Sequence, residues 1–104
     1  MKIINLTPHQ ITILTSNGVL AIEPSGKIAR VKEERKLIEE KNGIKFFKTN
    51  YSDVTDLPDE EENTILIVSA MVAGRLKGRK DVFYPCDFVR DENGRIKGCK
   101  GLTK

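Results

Sequence analysis

The sequence predicts an α+β fold, a mostly antiparallel meander of β-hairpins with one short helix at about residues 69–77, in a single β-rich domain spanning residues 1–104. Three Asn-Gly pairs stand between short apolar segments, at 17–18, 42–43 and 93–94, and Asn-Gly is the strongest short signal for a hairpin. One continuous apolar segment is followed directly by a serine and small residues, which indicates a strand leading into a short helix. The length allows one modest core.

The first part of the chain is predicted to consist of strands. Residues 2–6 begin a strand, which Pro8 interrupts because proline cannot donate a hydrogen bond to a ladder. Residues 11–15 and 19–22 flank the first Asn-Gly pair as a hairpin, and residues 27–31 alternate polar and apolar side chains as a further strand.

Residues 32–41 are ambiguous between helix and strand. Their many glutamates and lysines favour a helix, but only Leu37 and Ile38 are apolar, too few for the stripe of an amphipathic helix. The Asn-Gly pair at 42–43 and the strand expected at 44–49 require a partner strand on the other side of the turn. We therefore predict a long exposed strand, whose charges guard its edge against unwanted pairing.

The central stretch begins with residues 65–68, an apolar and mostly β-branched run typical of a strand buried on both faces. Ser69 offers a hydroxyl to the free N–H groups of the helix, and Gly78 suits its left-handed end. The acidic run 59–62 is interpreted as a solvated loop. It can instead fold back on the basic segment 75–80, which would argue against an anion site there.

The end of the chain is predicted to form a short strand at 82–84, closed by Pro85, and then a hairpin of residues 88–90 and 95–99. Residues 101–104 are expected to fray, as chain ends often do.

Composition and charge exclude several classes of protein. A net charge of +3 is too small for an extended nucleic-acid footprint. No apolar run approaches the ~20 residues that cross a bilayer, and no signal peptide is evident, so we expect a cytoplasmic protein that does not bind membranes. Two cysteines and one histidine lack metal-ligand spacing, so we expect reduced thiols, no metal and no cofactor.

Asn5, Thr7 and His9 gather at the bend that Pro8 creates. Asparagine and threonine side chains often bond to nearby backbone in turns, which is one interpretation of this cluster. The other interpretation is a set of hydrogen-bonding groups at the mouth of a pocket, with an imidazole able to titrate near neutrality.

Arg75 and Arg79 lie at the predicted helix end and in the loop after it. They form either a solvated basic turn or a clamp for phosphate or carboxylate, which guanidinium groups bind through paired hydrogen bonds. Ser69 and the helix start would add backbone N–H groups. Phe83 and Tyr84 are the nearest aromatic side chains that could stack on a base, although such residues more often belong to a core.

Catalytic motifs are lacking: the sequence contains no nucleophile elbow, phosphate-binding glycine loop or His-Glu-x-x-His helix. Acid–base chemistry would have to use His9 or a perturbed carboxylate such as Asp53 or Asp81. No catalytic residue is therefore assigned, and the sequence favours a protein that is not an enzyme while leaving an enzyme open.

An ordered set of short motifs runs along nearly the whole chain. It comprises Asn5-Leu-Thr-Pro-His9, Pro24-Ser-Gly26 with Ala29-Arg-Val31, Val54 with Leu57-Pro58, Val68-Ser-Ala70 with Val72-Ala73, Gly78-Arg79 with Asp81-Val82, and Val89-Arg-Asp-Glu-Asn-Gly-Arg-Ile96 with Gly98-Cys99. This set resembles a family of short, uncharacterised proteins of bacteriophages, prophages and some bacterial genomes. The resemblance implies a bacterial cytoplasmic setting during phage infection and supplies no catalytic residue.

Three functions follow as hypotheses. The first is a phage-encoded, non-enzymatic counter-defence protein that captures a small anionic, nucleotide-derived ligand in a pocket near the helix or between the subunits of a homo-oligomer. The predicted ligand-binding residues are Asn5, Thr7, His9, Ser69, Arg75, Arg79, Phe83 and Tyr84. The first alternative is an inhibitor that binds a bacterial host protein through an edge strand or the charged loops. The second is a small enzyme acting on a nucleotide signal.

Overall fold

The computed structural model describes residues 1–104 as a six-stranded sheet, one short helix and a separate two-stranded hairpin. The elements are β1 (Lys2–Asn5), β2 (Ile11–Thr15), β3 (Gly18–Ile22), β4 (Glu33–Lys41), β5 (Ile44–Tyr51), β6 (Thr64–Ile67), α1 (Ala70–Ala73), β7 (Val82–Arg90) and β8 (Ile96–Thr103). The mostly β composition with one short helix agrees with the sequence prediction.

The main sheet is mixed and curled, not the simple meander of hairpins that the sequence predicts. Its strand order is β1-β6-β7-β8-β2-β3. β6 runs parallel to both β1 and β7, and β8 runs parallel to β2. Just beyond β3, Pro24 bridges to Asn5 of β1, so the two ends of the sheet meet. Parallel pairs need long crossovers, which turn signals along the sequence do not reveal.

The three predicted hairpins are present. β2–β3, β4–β5 and β7–β8 are antiparallel pairs whose connections contain the Asn-Gly pairs. In the β4–β5 turn, Asn42 and Gly43 both have positive φ angles, of 52° and 78°, as a two-residue hairpin turn requires. The ambiguous residues 32–41 are extended, as predicted.

Residues 27–31 are not the predicted strand. Only Arg30 forms a bridge, to Thr55, while Ala29 is buried in the core. The segment instead lies across the core. Ala29 is buried there and Val31 packs against the same cluster, which accounts for the apolar residues at these alternate positions.

Pro85 does not close the strand that begins at Val82, because β7 continues to Arg90. Leu66 and Val68 donate hydrogen bonds to the carbonyls of Asp81 and Phe83, so alternate residues of β7 turn their backbone towards β6. Pro85 is the next residue of β7 whose backbone faces the β6 side. β6 has already ended at that point, so the N–H that proline lacks is not needed for pairing.

The end of the chain is ordered, in contrast to the fraying that was predicted for residues 101–104. β8 extends to Thr103, and Thr103, Leu102 and Gly101 pair with Tyr84, Pro85 and Cys86.

The helix is shorter than the predicted 69–77. Ser69 caps its start as expected, accepting from the N–H of Val72 at 3.3 Å. Gly74 ends it, and the next two N–H groups bond three residues back, from Arg75 to Val72 and from Leu76 to Ala73. Gly78 has the left-handed φ of 77°, but it serves a later turn.

The core lies where β1, β6 and β7 are covered by α1 and by irregular segments. Its buried side chains are Leu6, Ala29, Leu66, Val68, Val72 and Val82, with Val54, Leu57 and Leu76 among those packed around them. All are aliphatic, as the scarcity of aromatic residues predicts.

The β4–β5 hairpin, residues 33–51 and here called the arm, stands away from this body. Its strands pair only with each other, and every residue of β4 is exposed. The molecule measures 56 × 39 × 23 Å with a radius of gyration of 17.0 Å. A compact chain of this length would have about 13 Å, so the protein is distinctly elongated.

Candidate functional site

The proline bend, residues 5–9, is held by the side chain of Asn5. This side chain is almost fully buried, with 1% exposed. Its amide nitrogen donates to the carbonyl oxygens of His9, at 2.7 Å, and Ile22, at 3.1 Å. Its oxygen accepts from the backbone N–H and the hydroxyl of Thr7, at 3.0 and 2.7 Å. All the hydrogen-bonding groups of Asn5 are therefore engaged within the chain.

Thr7 completes the bend. Its hydroxyl lies 2.7 Å from Oδ1 of Asn5 and 3.0 Å from the carbonyl oxygen of His9, either of which can accept its proton. The hydrogen bonds of Asn5 and Thr7 are thus those of turn-forming side chains, the first of the two interpretations of this cluster. His9 differs: its backbone takes part in the bend, while its exposed imidazole bonds to no protein group.

The bend forms one wall of an open cavity of about 470 Å³, here called the recess. Its apolar lining comes from Pro8, Ile11, Val68, Ala70, Pro85 and Phe88. Its polar lining comes from Thr7, His9, Ser69 and Tyr84. The recess therefore lies where the chain leaves β6 for α1 and where β7 passes Pro85.

Three polar side chains of the recess retain hydrogen-bonding capacity. The hydroxyl of Ser69 accepts from Val72, and its proton can still be donated. The imidazole of His9 and the phenol of Tyr84 make no hydrogen bond within the chain. Phe88 adds an aromatic ring that is 53% exposed. An apolar cavity with a few polar groups is the usual composition of a small-molecule site.

Arg79 lies elsewhere, in a network with Asp81. Its Nε and Nη2 donate to the two carboxylate oxygens of Asp81, both at 2.9 Å, and Nη2 also donates to the carbonyl of Pro58 at 2.9 Å. These hydrogen bonds raise the pKa of Arg79 and lower the pKa of Asp81, while partial burial opposes both shifts. The guanidinium is thus already paired with a carboxylate.

The acidic run 59–62 adds to that network. The charges of Glu60 and Asp59 further raise the pKa of Arg79, and Glu60, Glu61 and Glu62 line a second cavity together with Lys80 and Asp81. The run therefore folds back on the basic segment, the alternative that argues against an anion site at Arg79.

Arg75 and Phe83 contact other parts of the chain. The guanidinium carbon of Arg75 lies 4.0 Å from the ring centre of Tyr51, at the base of the arm, a cation–π contact. Phe83 lines the acidic cavity, with the ammonium of Lys104 5.1 Å from its ring centre.

The structure thus gathers only part of the predicted set. Thr7, His9, Ser69 and Tyr84 line the recess, beside which Asn5 holds the bend, whereas Arg75, Arg79 and Phe83 do not line it. The sequence analysis missed Phe88, which it assigned to a separate terminal hairpin. The signal that could have found it is the alternation of Tyr84, Cys86 and Phe88 along one continuous strand.

No group of three or more histidine, cysteine, aspartate or glutamate side chains is placed to hold a metal ion. The structure also contains no helix with the length and apolar character needed to span a bilayer. No protein-family model, curated protein or solved structure matches the chain.

Proposed function

We propose that this protein is a non-enzymatic binding protein whose recess takes a small ring-bearing ligand, such as the base and sugar of a nucleotide. The observation that carries the proposal is the recess itself, with free groups on His9, Ser69 and Tyr84 between apolar walls. Its volume of about 470 Å³ lies within the range of roughly 300–1,000 Å³ that small-molecule sites occupy.

Two aromatic rings of the recess can stack on the base of a nucleotide, a contact for which the sequence suggested Phe83 and Tyr84. Tyr84 and Phe88 both line the recess, and an aromatic ring can stack on any nucleobase. Ser69 and Tyr84 can each donate a hydrogen bond to a polar edge of the ligand. The position of Tyr84 supports its predicted role, and Phe88 takes the place that was predicted for Phe83.

The anionic part of the ligand has weaker support. His9 is the one basic residue that lines the recess, and Arg79 already pairs with the carboxylate of Asp81. Arg75 faces no carboxylate within salt-bridge distance, and its guanidinium lies over the ring of Tyr51. We therefore propose that a phosphate group, if the ligand carries one, lies at the mouth of the recess near His9 and not in a two-arginine clamp.

Thermal unfolding with a panel of nucleotides tests the proposal. A ligand at ~100 times its Kd should stabilise the folded protein by about 2.7 kcal/mol, because it binds only the folded state. Phe88→Ala and His9→Ala should abolish that stabilisation with little effect on the free protein, because both side chains are exposed.

Phe47→Ala is the matched control, since Phe47 is an exposed phenylalanine on the arm and should leave the ligand effect unchanged. Stabilisation that survives Phe88→Ala would place the site elsewhere. Recovery of altered ligand after denaturing the complex, with product lost in His9→Ala, would instead support the enzyme.

A bacterial host protein remains the second candidate partner, and the arm is the observation that favours it. The arm exposes six large apolar side chains, Leu37, Ile38, Ile44, Phe46, Phe47 and Tyr51, half of the twelve in the chain. Exposed apolar patches often mark protein-binding surfaces. A named host protein retained by the wild type and by Phe88→Ala, but lost on Phe46→Ser, would move the function to the arm.

The counter-defence role rests on the resemblance to phage proteins alone. It predicts that expressing the chain restores plating of a phage that is blocked by a nucleotide-signalling defence. If plating is restored equally by wild type and by Phe88→Ala, the recess does not carry that role.

A further inference from the structure

We propose that the free edge of β4 binds the β4 of a second copy of this chain, antiparallel and across a two-fold axis midway between Leu37 and Ile38. The two arms would then form one four-stranded sheet. This inference concerns assembly and does not depend on the recess being a ligand site.

The arm needs a partner on physical grounds. An isolated two-stranded hairpin is marginally stable in water, and stable sheets have three or more strands or a packed face. All nine residues of β4 are exposed, and β4 pairs with no strand other than β5. Its outer edge therefore presents unpaired backbone groups, which are a template for another strand.

A bulge in β4 determines which of its side chains share a face. Leu37 pairs with Phe47 and Glu39 pairs with Phe46, so Ile38 has no partner on β5. Lys36 pairs with Lys48, and residues 46 and 48 of β5 share a face because side chains alternate along a strand. Lys36 and Glu39 therefore share a face although they are three residues apart.

The same reasoning extends outwards from the bulge. Arg35 and Glu40 pair with Thr49 and Lys45, which are four residues apart on β5 and share the other face. Glu34 and Lys41 pair with Asn50 and Ile44, six residues apart, and share the face of Lys36. The faces of β4 are thus symmetric about the midpoint between Leu37 and Ile38.

The charges of β4 are opposite across this centre. A two-fold axis midway between Leu37 and Ile38 brings each of these residues opposite its counterpart on the second copy: Lys36 opposite Glu39, Arg35 opposite Glu40, and Glu34 opposite Lys41. Each pair is complementary and occurs twice, and Leu37 and Ile38 of both copies meet at the axis. Cross-strand pairs of opposite charge stabilise a sheet, whereas like charges destabilise it.

Other ways of pairing lack this match. Parallel pairing in register would place every charged residue of β4 opposite its own copy. The free edge of β5 has only Lys45 and Lys48 as charged residues, so it cannot form ion pairs with itself. Among pairings of like strands, the edge of β4 therefore fits a second β4 in the antiparallel orientation.

Sedimentation velocity over a range of protein concentrations tests the pairing through charge exchange. Wild type should form a dimer that weakens as salt screens the ion pairs. Lys36→Glu places glutamates opposite each other twice and should raise the dimer Kd by ~10-fold or more, as should Glu39→Lys through paired lysines.

An equimolar mixture of the two variants is the decisive measurement. The mixed dimer has glutamates at 36 and 39 on one copy and lysines at both positions on the other, so both contacts become attractive again. The double variant Lys36→Glu/Glu39→Lys should dimerise like wild type for the same reason. Lys97→Glu is the charge-matched control, because Lys97 is an exposed lysine of β8 in the body, and it should leave the Kd within about twofold of wild type.

Circular dichroism should show the wild-type fold in every variant, because the arm contributes nothing to the buried core. A wild type that stays monomeric at about 1 mM, a value typical of very weak association, would overturn the proposal. So would a dimer that Lys36→Glu leaves intact, which would use another surface, or a mixture of the two variants that does not associate.

Discussion

At the scale of single residues, two buried polar side chains join irregular segments to the rest of the chain. Asn5 bonds to the backbone of Thr7, His9 and Ile22, and so joins the proline bend to the end of β3. Asp81 binds Arg79, which in turn binds the carbonyl of Pro58. Both residues are buried, and neither leaves a buried polar atom without a partner.

Asp81→Asn is expected to destabilise the protein in a manner that depends on pH. Hydrogen bonds from Arg79 hold the pKa of Asp81 below its usual range, so protonation is harder in the folded state than in the unfolded chain. The ionised carboxylate therefore contributes stability above the unfolded pKa of about 3.9, and this contribution is lost as the pH falls through the lower folded value.

Urea unfolding at several pH values measures this effect. Asp81→Asn should reduce the unfolding free energy by about 2 kcal/mol at pH 7, the scale of a hydrogen-bonded charge, and the deficit should shrink below pH ~4. Glu62→Gln removes an exposed carboxylate and should have little effect. A deficit for Asp81→Asn that is the same at pH 7 and pH 3 would contradict the role of the ion pair.

The residue types of the candidate site could be predicted more readily than their spatial grouping. The cluster at residues 5–9 follows from Pro8 and the spacing of its neighbours. That Tyr84 and Phe88 share a wall of the recess depends on β7 running through Pro85, and this depends on the length of β6. The separation of Arg79 from the recess depends on its hydrogen bonds to Asp81, only two residues away, and the sequence does not give that geometry.

At the scale of elements, β8 and β2 approach each other closely at Gly98. These strands run parallel, with Cys99 opposite Ile13. A Cβ atom added at Gly98 would lie 3.0 Å from the carbonyl oxygen of Thr12. A backbone oxygen cannot rotate away as a side chain can, so β8 would have to move from β2.

Gly98→Ala should therefore lower the unfolding free energy by about 2 kcal/mol, the usual scale of overpacking, with faster hydrogen exchange in β2 and β8. Gly74→Ala is the control, because its Cβ would meet only carbonyl oxygens at 3.4 and 3.5 Å and its φ of −66° suits alanine. It should be neutral or stabilise by about 0.5 kcal/mol. Equal losses for both variants would show that the β2–β8 contact is not specially close.

Turns and the start of the helix could be predicted because their signals lie in a few neighbouring residues. Asn42-Gly43 fixed the arm, including β4, whose composition alone favours a helix. The cap at Ser69 predicted where α1 begins, but Gly74 ended it before Gly78 because a helix this short has no apolar stripe to prolong it. The parallel pairing of β6 with β1 and β7 joins residues far apart in the chain, and no turn signal reports such a contact.

At the scale of the whole molecule, the arm and the body can be separated. The arm joins the body at Lys32 and Ser52, where the N–H of Ser52 donates to the carbonyl of Lys32 at 2.9 Å and the N–H of Lys32 donates to the hydroxyl of Ser52 at 2.8 Å. A hydrogen-bonded pair of this kind can be closed by a two-residue turn. Replacing residues 33–51 with Gly-Gly should therefore leave the body folded.

The shortened chain loses the cation–π contact between Tyr51 and Arg75, which contributes about 0.5–1 kcal/mol at an exposed site, and no hydrophobic contact of the core cluster. Thermal unfolding should show a body that melts within a few degrees of the full chain. Sedimentation should show a monomer, because the edge of β4 is gone. The ligand-induced stabilisation should persist, because the recess is built from the bend, α1 and β7.

These outcomes separate the two proposed partners. If the shortened chain still binds the nucleotide and still restores phage plating, the recess is sufficient for function and the arm serves assembly. If it binds the nucleotide but no longer restores plating, the function requires the arm. Loss of the body's cooperative unfolding would contradict the independence of the two parts, since the buried core includes no residue of the arm.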